Sequence, residues 1–485
     1  MVKRVIHKNY VLLIVAIAQF MVVLDTAIVN VALPSIYTSL GYTSESSLQW
    51  VVTAYTLAFG GFLLLGGRAA DLYGRKRVFI SAAVMFTILS FLCGIAQSPI
   101  MLDSLRALQG LAAAFMSPAA LSIILTTFKE GKERAKALSV WGAVAAGGAA
   151  TGLLLGGILT ELLDWRWNFF VNVPVGIAVV LAAKWYVPES KANLKHNKLD
   201  LPGAISVTTG LVLFVYAITE APSKGWSSSS TIILLSAAVA LLVFFVVNES
   251  RSKHALMPLG IFKIGNVAAA NAAQLPMVAA MFSVFFFVSL YVQTILGFSP
   301  IKTGFGFMVM PVVIGAMSAF MPKLIHTFGY KLPIIIGPLF VSAALFYMSH
   351  ISVGGSYWND VFPGLVLMAI GMGQIFIAVT IAATANIPHH DSGLASGILN
   401  TSQQVGGALG LAILSGIATA GVSAYTAVNG AAFSANQQLA AQNATVEGFQ
   451  DALFVAAFFP LITSAVALLF VKNYQVDEST LPIPG

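Results

Sequence analysis

The chain has 485 residues, of which 58% are apolar and 9% charged, against about 45–50% and 25% in soluble proteins. With a mean hydropathy of +0.88, this excludes a string of soluble domains and defines a polytopic membrane protein. The formal charge of +7 is therefore no nucleic-acid footprint, and its meaning lies in its position along the chain.

The basic N-terminus, MVKRVIHKNY, runs into a long apolar segment. It lacks the short apolar core and small-residue cleavage site of a signal peptide, so it reads as an uncleaved first span. Apolar runs of membrane length follow near 11–34, 48–67, 78–97, 102–128, 137–160 and 167–187. Two more lie near 201–219 and 230–248. A last group lies near 267–296, 303–322, 332–351, 361–387, 392–420 and 451–471. The polar stretch 429–450 reads as an external loop with room for a short helix. Cys93, the single cysteine, sits in an apolar run, with no intrachain disulfide partner and no metal-ligand spacing.

Placing the N-terminus inside puts Lys3, Arg4, Lys8, Arg68, Arg75, Lys76 and Arg77 on one side. The same side collects Lys129, Lys132, Arg134, Lys136, Lys184, Lys191, Lys195 and Lys198. Arg251, Lys253, Lys263, Lys323, Lys331 and Lys472 complete it. Only Arg106, Arg166, Lys224 and Lys302 fall at or near outer ends, so 21 of 25 basic residues obey the positive-inside rule with both termini cytoplasmic. The segments 186–200 and 248–265 read as seams. They divide the chain into residues 1–187, a six-helix bundle; 188–265, two inserted helices with cytoplasmic flanks; and 266–485, a second six-helix bundle. Equal outer groups point to a duplicated bundle, as in many secondary carriers.

Asp25 is the one charge in the span from Val11 to Pro34, which at about 1.5 Å per residue covers about 36 Å. A carboxylate there costs roughly 2.5–3.5 kcal/mol and marks a functional group by default. The plain alternative is an acid satisfied by neighbouring hydroxyls. Asp25 lies about 13 Å in from Pro34, and Arg106 about 8 Å into the fourth span from the same side with a long side chain. The two therefore meet at similar depth. The competing placement for Arg106 is snorkelling to the outer headgroups near Asp103. Pairing Asp25 with Arg106 in one state and not in another would let one residue take and release a proton.

After the second span stands Gly67-Arg68-Ala69-Ala70-Asp71-Leu72-Tyr73-Gly74-Arg75-Lys76-Arg77. Gly67 and Gly74 allow a tight turn between packed helices. Asp71 can accept from a helix N-terminus or a nearby arginine and latch an inner gate. This stretch resembles the signature loop of the major facilitator superfamily, G-x-x-x-D-x-x-G-R-K-R. Leu24 to Pro34 resembles the first-span motif of the superfamily's fourteen-helix drug:proton antiporters. Leu105-Arg106-Ala107-Leu108-Gln109-Gly110 resembles the R-x-x-Q-G element, whose arginine is implicated in proton transfer. The stretches 165–174 and 396–407 are similar to the sixth- and thirteenth-span motifs of that branch, and PKLIHTFGYK at 322–331 is a worn copy of the signature loop without its acid. In the fifth span Leu153 stands where the antiporter motif G-P-x-x-G-G has proline. The helix kink there is expected to be weaker, while Gly142, Gly147, Gly148, Gly152, Gly156 and Gly157 remain for close packing.

The resemblance implies an all-α major facilitator fold, two six-helix bundles plus two extra transmembrane helices between them. It implies a carrier and not an enzyme, a proton gradient in place of any cofactor, and a multi-pass protein of the bacterial inner membrane. Proton coupling falls to Asp25 and Arg106. Gating falls to Gly67, Asp71, Gly74, Arg75, Lys76, Arg77, Gly152, Gly156 and Gly157. Glu161, Asp164 and Glu220 sit at outer span ends and read as interfacial. A cargo cavity would draw on Gln19, Asn30 and Trp141 in the first bundle. In the last six spans, which carry no mid-membrane carboxylate, it would draw on Asn271, Gln274, Gln293, Gln374, Asn386, Asn400, Gln403 and Gln404. With 33 Phe and 15 Met in the chain, such a cavity suits lipophilic cations and neutral amphiphiles. The expected partners are the bilayer, protons and a small amphipathic or cationic cargo, with no nucleic acid and a monomeric carrier.

No P-loop, no H-E-x-x-H and no pore-loop signature is present. Three readings remain: a proton-driven exporter of amphipathic drugs or a producer's natural product; a proton-coupled carrier of a specific metabolite or lipid, inward or outward; and a non-transporting sensor or assembly subunit. Only the last predicts that Asp25 can change without consequence.

Overall fold

The computed structural model describes residues 8–129, 132–191, 199–252, 255–385, 387, 392–429 and 436–473. Lys3, Arg4, Lys195, Lys198, Lys253 and Asn386 lie outside the described residues. Among those described, every regular element is helical and fourteen segments are long and apolar enough to cross a bilayer.

The helices are α1 (Lys8–Leu40), a single turn α2 (Glu45–Leu48), α3 (Trp50–Tyr73), α4 (Arg75–Gly94), α5 (Pro99–Thr127) and α6 (Lys132–Leu162). A single turn α7 (Trp167–Phe170) leads into α8 (Asn172–Tyr186), then α9 (Leu201–Lys224) and α10 (Ser229–Arg251). The second half holds α11 (Val267–Leu290), α12 (Pro300–Phe307), α13 (Val309–Phe328), α14 (Lys331–Met348), α15 (Phe362–Thr384), α16 (Ser392–Val428), α17 (Gln437–Ala456) and α18 (Phe458–Phe470). Two boundaries differ from the sequence reading. α1 runs on to Leu40 with Pro34 inside it, since proline removes one backbone donor without ending a helix whose next turn is packed. The stretch read as an external loop is largely α17, a helix that leads directly into the last span.

Two compact units emerge. The first comprises residues 1–42, 50–208 and 244–256, the second 43–49, 209–243 and 257–485. Within the first unit α1 packs on α6, α3 on α5 and α4 on α8; within the second α11 packs on α16, α13 on α15 and α14 on α18. These are the same pairings, first with fifth, second with fourth and third with sixth, once in each unit. Lipid tails supply no hydrophobic drive between helices, so small residues set the contacts. A Cβ at Gly110 would run into the Tyr55 carbonyl, one at Gly66 into the Ala114 carbonyl and one at Gly410 into Ala279. Gly152 and Gly156 seat α6 against Ala27 and Ile28 of α1. Gly142 and Gly147, also read as packing residues, have open space where a Cβ would stand.

The repeat extends to the turns. Gly74 (φ 107°) joins α3 to α4, and Gly329 (φ 73°) joins α13 to α14, both in the region that favours glycine. Each turn is clamped by the segment that leaves its unit's last helix. In the first unit the Arg75 amide donates to the Ser190 carbonyl at 3.0 Å, and Lys76 Nζ to the Lys184 carbonyl at 2.9 Å. In the second the Lys331 amide donates to Asn473 Oδ1 at 3.4 Å, and Lys331 Nζ to the Leu468 carbonyl at 3.0 Å. Lys184 and Leu468 each stand three residues before a buried valine, Val187 and Val471, that caps its helix in extended conformation.

Gly110→Ala is expected to cost about 1–3 kcal/mol through overpacking and to lower the unfolding temperature in detergent by several degrees. Gly142→Ala, with nothing within 4 Å of the new Cβ, should leave it unchanged; equal effects would contradict this packing scheme.

Candidate functional site

Asp25 lies midway along α1 and is fully buried; Arg106, seven residues into α5, is 1% exposed. Ser98 caps α5 by accepting from the Met101 amide, and Pro99 occupies its first turn, so the start of this helix is firmly set. Arg106 Nη1 donates to Asp25 Oδ2 at 2.5 Å. The same nitrogen donates to Gln109 Oε1 at 2.6 Å, while Nε donates to the Val51 carbonyl of α3 at 3.0 Å. The guanidinium lies over the Tyr55 ring, 4.2 Å from its centroid, with the Phe169 ring at 5.7 Å.

The other carboxylate oxygen, Asp25 Oδ1, accepts from Gln109 Nε2 at 2.8 Å and from Asn172 Nδ2 at 2.9 Å. Gln109 Nε2 also donates to Ser90 Oγ of α4 at 2.8 Å. The 165–174 motif explains how Asn172 gets there. Trp165 is buried under the Arg166 guanidinium, 4.3 Å from its ring centroid. Arg166 Nη2 ties this corner to the Ala96 carbonyl at 3.2 Å, and Asn168 Nδ2 ties it to Thr160 Oγ1 at 2.7 Å. The α7 turn so formed starts α8 with Asn172 directed at Asp25. One buried acid thus gathers donors from α5 and α8, and its arginine binds α3. Gln109 and Asn172 stand in motifs visible in the sequence, yet only the fold assigns them to Asp25. The available signal was Gln109's position three residues from Arg106, on the same helix face.

The signature stretch differs from the loop expected. Gly67 to Tyr73 are the last turns of α3, Gly67 faces Pro118 of α5, and Gly74 alone makes the turn. Asp71 accepts from Arg75 Nη2 at 2.7 Å across that turn. Arg75 Nε also donates to Ser122 Oγ at 2.9 Å. Glu189 accepts from the Lys76 amide at 3.2 Å and lies 3.7 Å from Arg77 Nε. Leu153, standing for the motif proline, is buried in an uninterrupted α6, and Gly157 is buried beside Gly156. Asp164 pairs with Arg166 and Glu220 with Lys224, each at a helix end, and Glu161 is exposed.

The amides read as cargo contacts are spread out. Gln19 is half-buried and accepts from Ser117 Oγ at 2.8 Å; Asn30 donates to the Thr26 carbonyl of its own helix at 3.1 Å; Trp141 packs against the first unit's core. In the second unit Asn271 Oδ1 accepts from Ser402 Oγ at 2.7 Å, and the buried Gln274 has neither amide atom hydrogen-bonded. Gln374 is buried beside Gly337, Gln403 and Gln404 are half-buried, and Asn400 is exposed. Gln293 donates to Ser289 Oγ at 3.1 Å from the π-helical turn Tyr291–Ile295 that follows α11. It lies 19 residues past Gln274, about 28 Å along a helix, too far to share one small site with it. Beside α1, within the first unit, is an apolar cavity of about 360 Å³ lined by Leu12, Ala16, Ile17, Phe20, Val140 and Val144, with Asn9 its one polar side chain. That volume is in the range of small-molecule pockets. Among the described residues no cluster of His, Cys, Asp and Glu could hold a metal ion.

Gln109→Leu keeps the side chain's bulk but removes a donor from Asp25 and an acceptor from Arg106, both buried. It is expected to cost about 1–3 kcal/mol and to lower the unfolding temperature in detergent. A variant as stable as the parent would contradict this hydrogen-bond assignment.

The profile of the Major Facilitator Superfamily matches residues 15–411. The puromycin resistance protein pur8 of Streptomyces alboniger is 38% identical over 477 residues, covering 96% of this chain and 92% of that protein. The cephamycin export protein CmcT of Amycolatopsis lactamdurans is 37% identical over 417 residues, 85% of each chain. The crystal structure of a bacterial homologue of the human lysosomal transporter Spinster superposes with a TM-score of 0.68 at 17% identity, covering 96% of this chain and 97% of the other, which speaks for the fold alone. With fourteen helices long and apolar enough to cross a membrane, six of them paired in the same way in each unit, and a family match over residues 15–411, this chain is a transporter of the major facilitator superfamily.

Proposed function

We propose that the protein is a proton-coupled exporter of amphipathic, lipophilic or cationic compounds, drugs or antibiotics among them, working by alternating access as a monomer in a bacterial inner membrane. The carrying observation is the Asp25–Arg106 pair, buried to 0% and 1% exposure and joined at 2.5 Å. Two charges so far from water persist only when each satisfies the other. Taking a proton at Asp25 removes the negative charge that holds Arg106, and the hydrogen bonds to Gln109, Asn172 and Val51 must rearrange with it. That couples one proton to a conformational change in the first unit. Resistance and export proteins among the relatives favour outward transport and a cargo of antibiotic type. The apolar cavity beside α1 suits the greasy part of such a molecule.

The organisation read from the sequence, bundles at 1–187 and 266–485 with two helices at 188–265 between them and both termini cytoplasmic, is part of this proposal. In it Gly67, Gly152, Gly156 and Gly157 let the helices pack closely, and the Asp71–Arg75 pair with the Glu189 clamp stiffens the inner turn at Gly74. Lys76 and Arg77 hold that clamp. Cargo contacts are assigned to Gln19, Asn30 and Trp141 in the first unit and to Asn271, Gln274, Gln374, Asn400, Gln403 and Gln404 in the second, with Gln293 at a separate level. The energy source is the proton gradient, with no cofactor.

In proteoliposomes with an acidic lumen and a quaternary ammonium dye outside, the imposed pH gradient should drive uptake of the dye by inverted carriers. Asp25→Asn is expected to abolish that flux, at least 100-fold, while expression and cargo-free unfolding remain measurable. Retained gradient-driven flux would refute the assignment of Asp25, and flux driven in the opposite sense would refute export.

A further inference from the structure

Asp103 stands one helical turn before Arg106 on α5 and belongs to none of the contacts described above. Its Oδ1 accepts from the Tyr42 hydroxyl at 2.7 Å. Tyr42 is 5% exposed and follows Gly41, whose φ of 71° turns the chain after α1. Burial first, and then the neighbouring Asp103 charge, push the Tyr42 phenol upward, so it stays protonated and remains a neutral donor. Among the described residues no lysine, arginine or histidine pairs with Asp103. It is a half-buried acid near the start of α5 to which no cation is paired.

We propose that Asp103 is the second counterion of Arg106, receiving the guanidinium when Asp25 takes up its proton. Helical side chains lean toward the N-terminus, so the Arg106 stem already lies over the turn that carries Asp103. A rotamer change without backbone movement brings the guanidinium to the i−3 carboxylate, an ordinary helix ion-pair spacing. The need for it is physical: once Asp25 is neutral, Arg106 is a buried cation without a partner, which is strongly unfavourable. The titratable groups that act on Arg106 in the present arrangement are Asp25 from α1, Tyr55 from α3 and Cys93 from α4; from the α7–α8 corner the Phe169 ring faces it, and Asn172 faces Asp25. Asp103 is the further carboxylate that the Arg106 charge reaches. The hand-off would release Gln109 and the Val51 carbonyl and replace the Tyr42 bond, giving the first unit two discrete arrangements selected by one proton. It presupposes that Asp25 is the proton site proposed above.

Asp25→Asn stands in for the protonated acid, and unfolding temperatures in detergent of four proteins test the hand-off without transport. Asp103→Asn alone should change the unfolding temperature little, because Arg106 keeps Asp25. In the Asp25→Asn background the same substitution should remove about 5 °C more than the two single losses added, and Asp103→Glu in that background should restore most of it. Strict additivity would overturn the proposal. If the double variant cannot be purified, the Asp103→Asn single variant decides. Losing the second counterion disfavours neutral Asp25, so gradient-driven flux should reach its midpoint at a lower pH, at least about threefold more protons, and an unmoved midpoint would overturn the proposal. Non-additive unfolding together with coupled flux in Asp25→Asn would sink the proton-site assignment and leave the Arg106–Asp103 pairing standing.

Discussion

One carboxylate, buried in the first membrane helix, has to be kept charged or neutral by protein alone. Asp25 is fully buried, and its two oxygens divide three donors between them, Arg106 on one side and Gln109 with Asn172 on the other. Each donor sits on a helix or turn that other contacts have already fixed. The arginine is held over Tyr55 and to Val51, Gln109 is tied to Ser90, and Asn172 is delivered by the Trp165–Arg166 corner. A buried ion pair contributes little net stability compared with an apolar pair of the same shape, but losing one partner is expensive, about 3–5 kcal/mol. Such a pair is therefore poor cement and a good switch.

The two units are built on one plan and used differently. In both, the first helix packs on the fifth across glycines, and the turn between the second and third helices is a positive-φ glycine clamped by the segment leaving the sixth. In the first unit that clamp carries charge: Asp71 with Arg75, and Glu189 with Lys76 and Arg77. In the second the corresponding bonds come from backbone, an asparagine and a lysine, with no acid. The membrane interior follows the same division, with the acid–arginine pair in the first unit and unpaired or half-buried amides such as Gln274 and Gln403 in the second. The frame is repeated, and the proposed proton chemistry occupies one copy of it.

The features legible in the sequence were those that violate composition. An acid in an otherwise apolar run announces itself, and a depth estimate from helical rise was enough to bring Arg106 to its level. Fourteen spans follow from hydropathy because helices must satisfy their own backbone in lipid. What the sequence hid depends on three-dimensional packing. Gln109 and Asn172 are amides in a chain with many amides, and only the fold shows that both meet Asp25. Gly67 looked like a loop residue because its motif ends in a turn, yet helix α3 runs through it. Gly142 and Gly147 stand on the same helix as Gly152 and Gly156, but nothing lies within 4 Å of where their Cβ atoms would be. Asp103 stands three residues before Arg106 in the sequence, but the buried tyrosine that holds it shows only in the fold.

A proton-coupled exporter of the kind proposed must not hold cargo and proton together, so cargo binding should displace the proton of Asp25. Proton release on cargo binding, followed with a pH indicator in weakly buffered detergent solution at mildly acidic pH, tests it most directly. Adding a quaternary ammonium cargo to the purified protein should release about one proton per molecule bound, and the release should vanish in Asp25→Asn although cargo still binds. Undiminished release from that variant would contradict the claim.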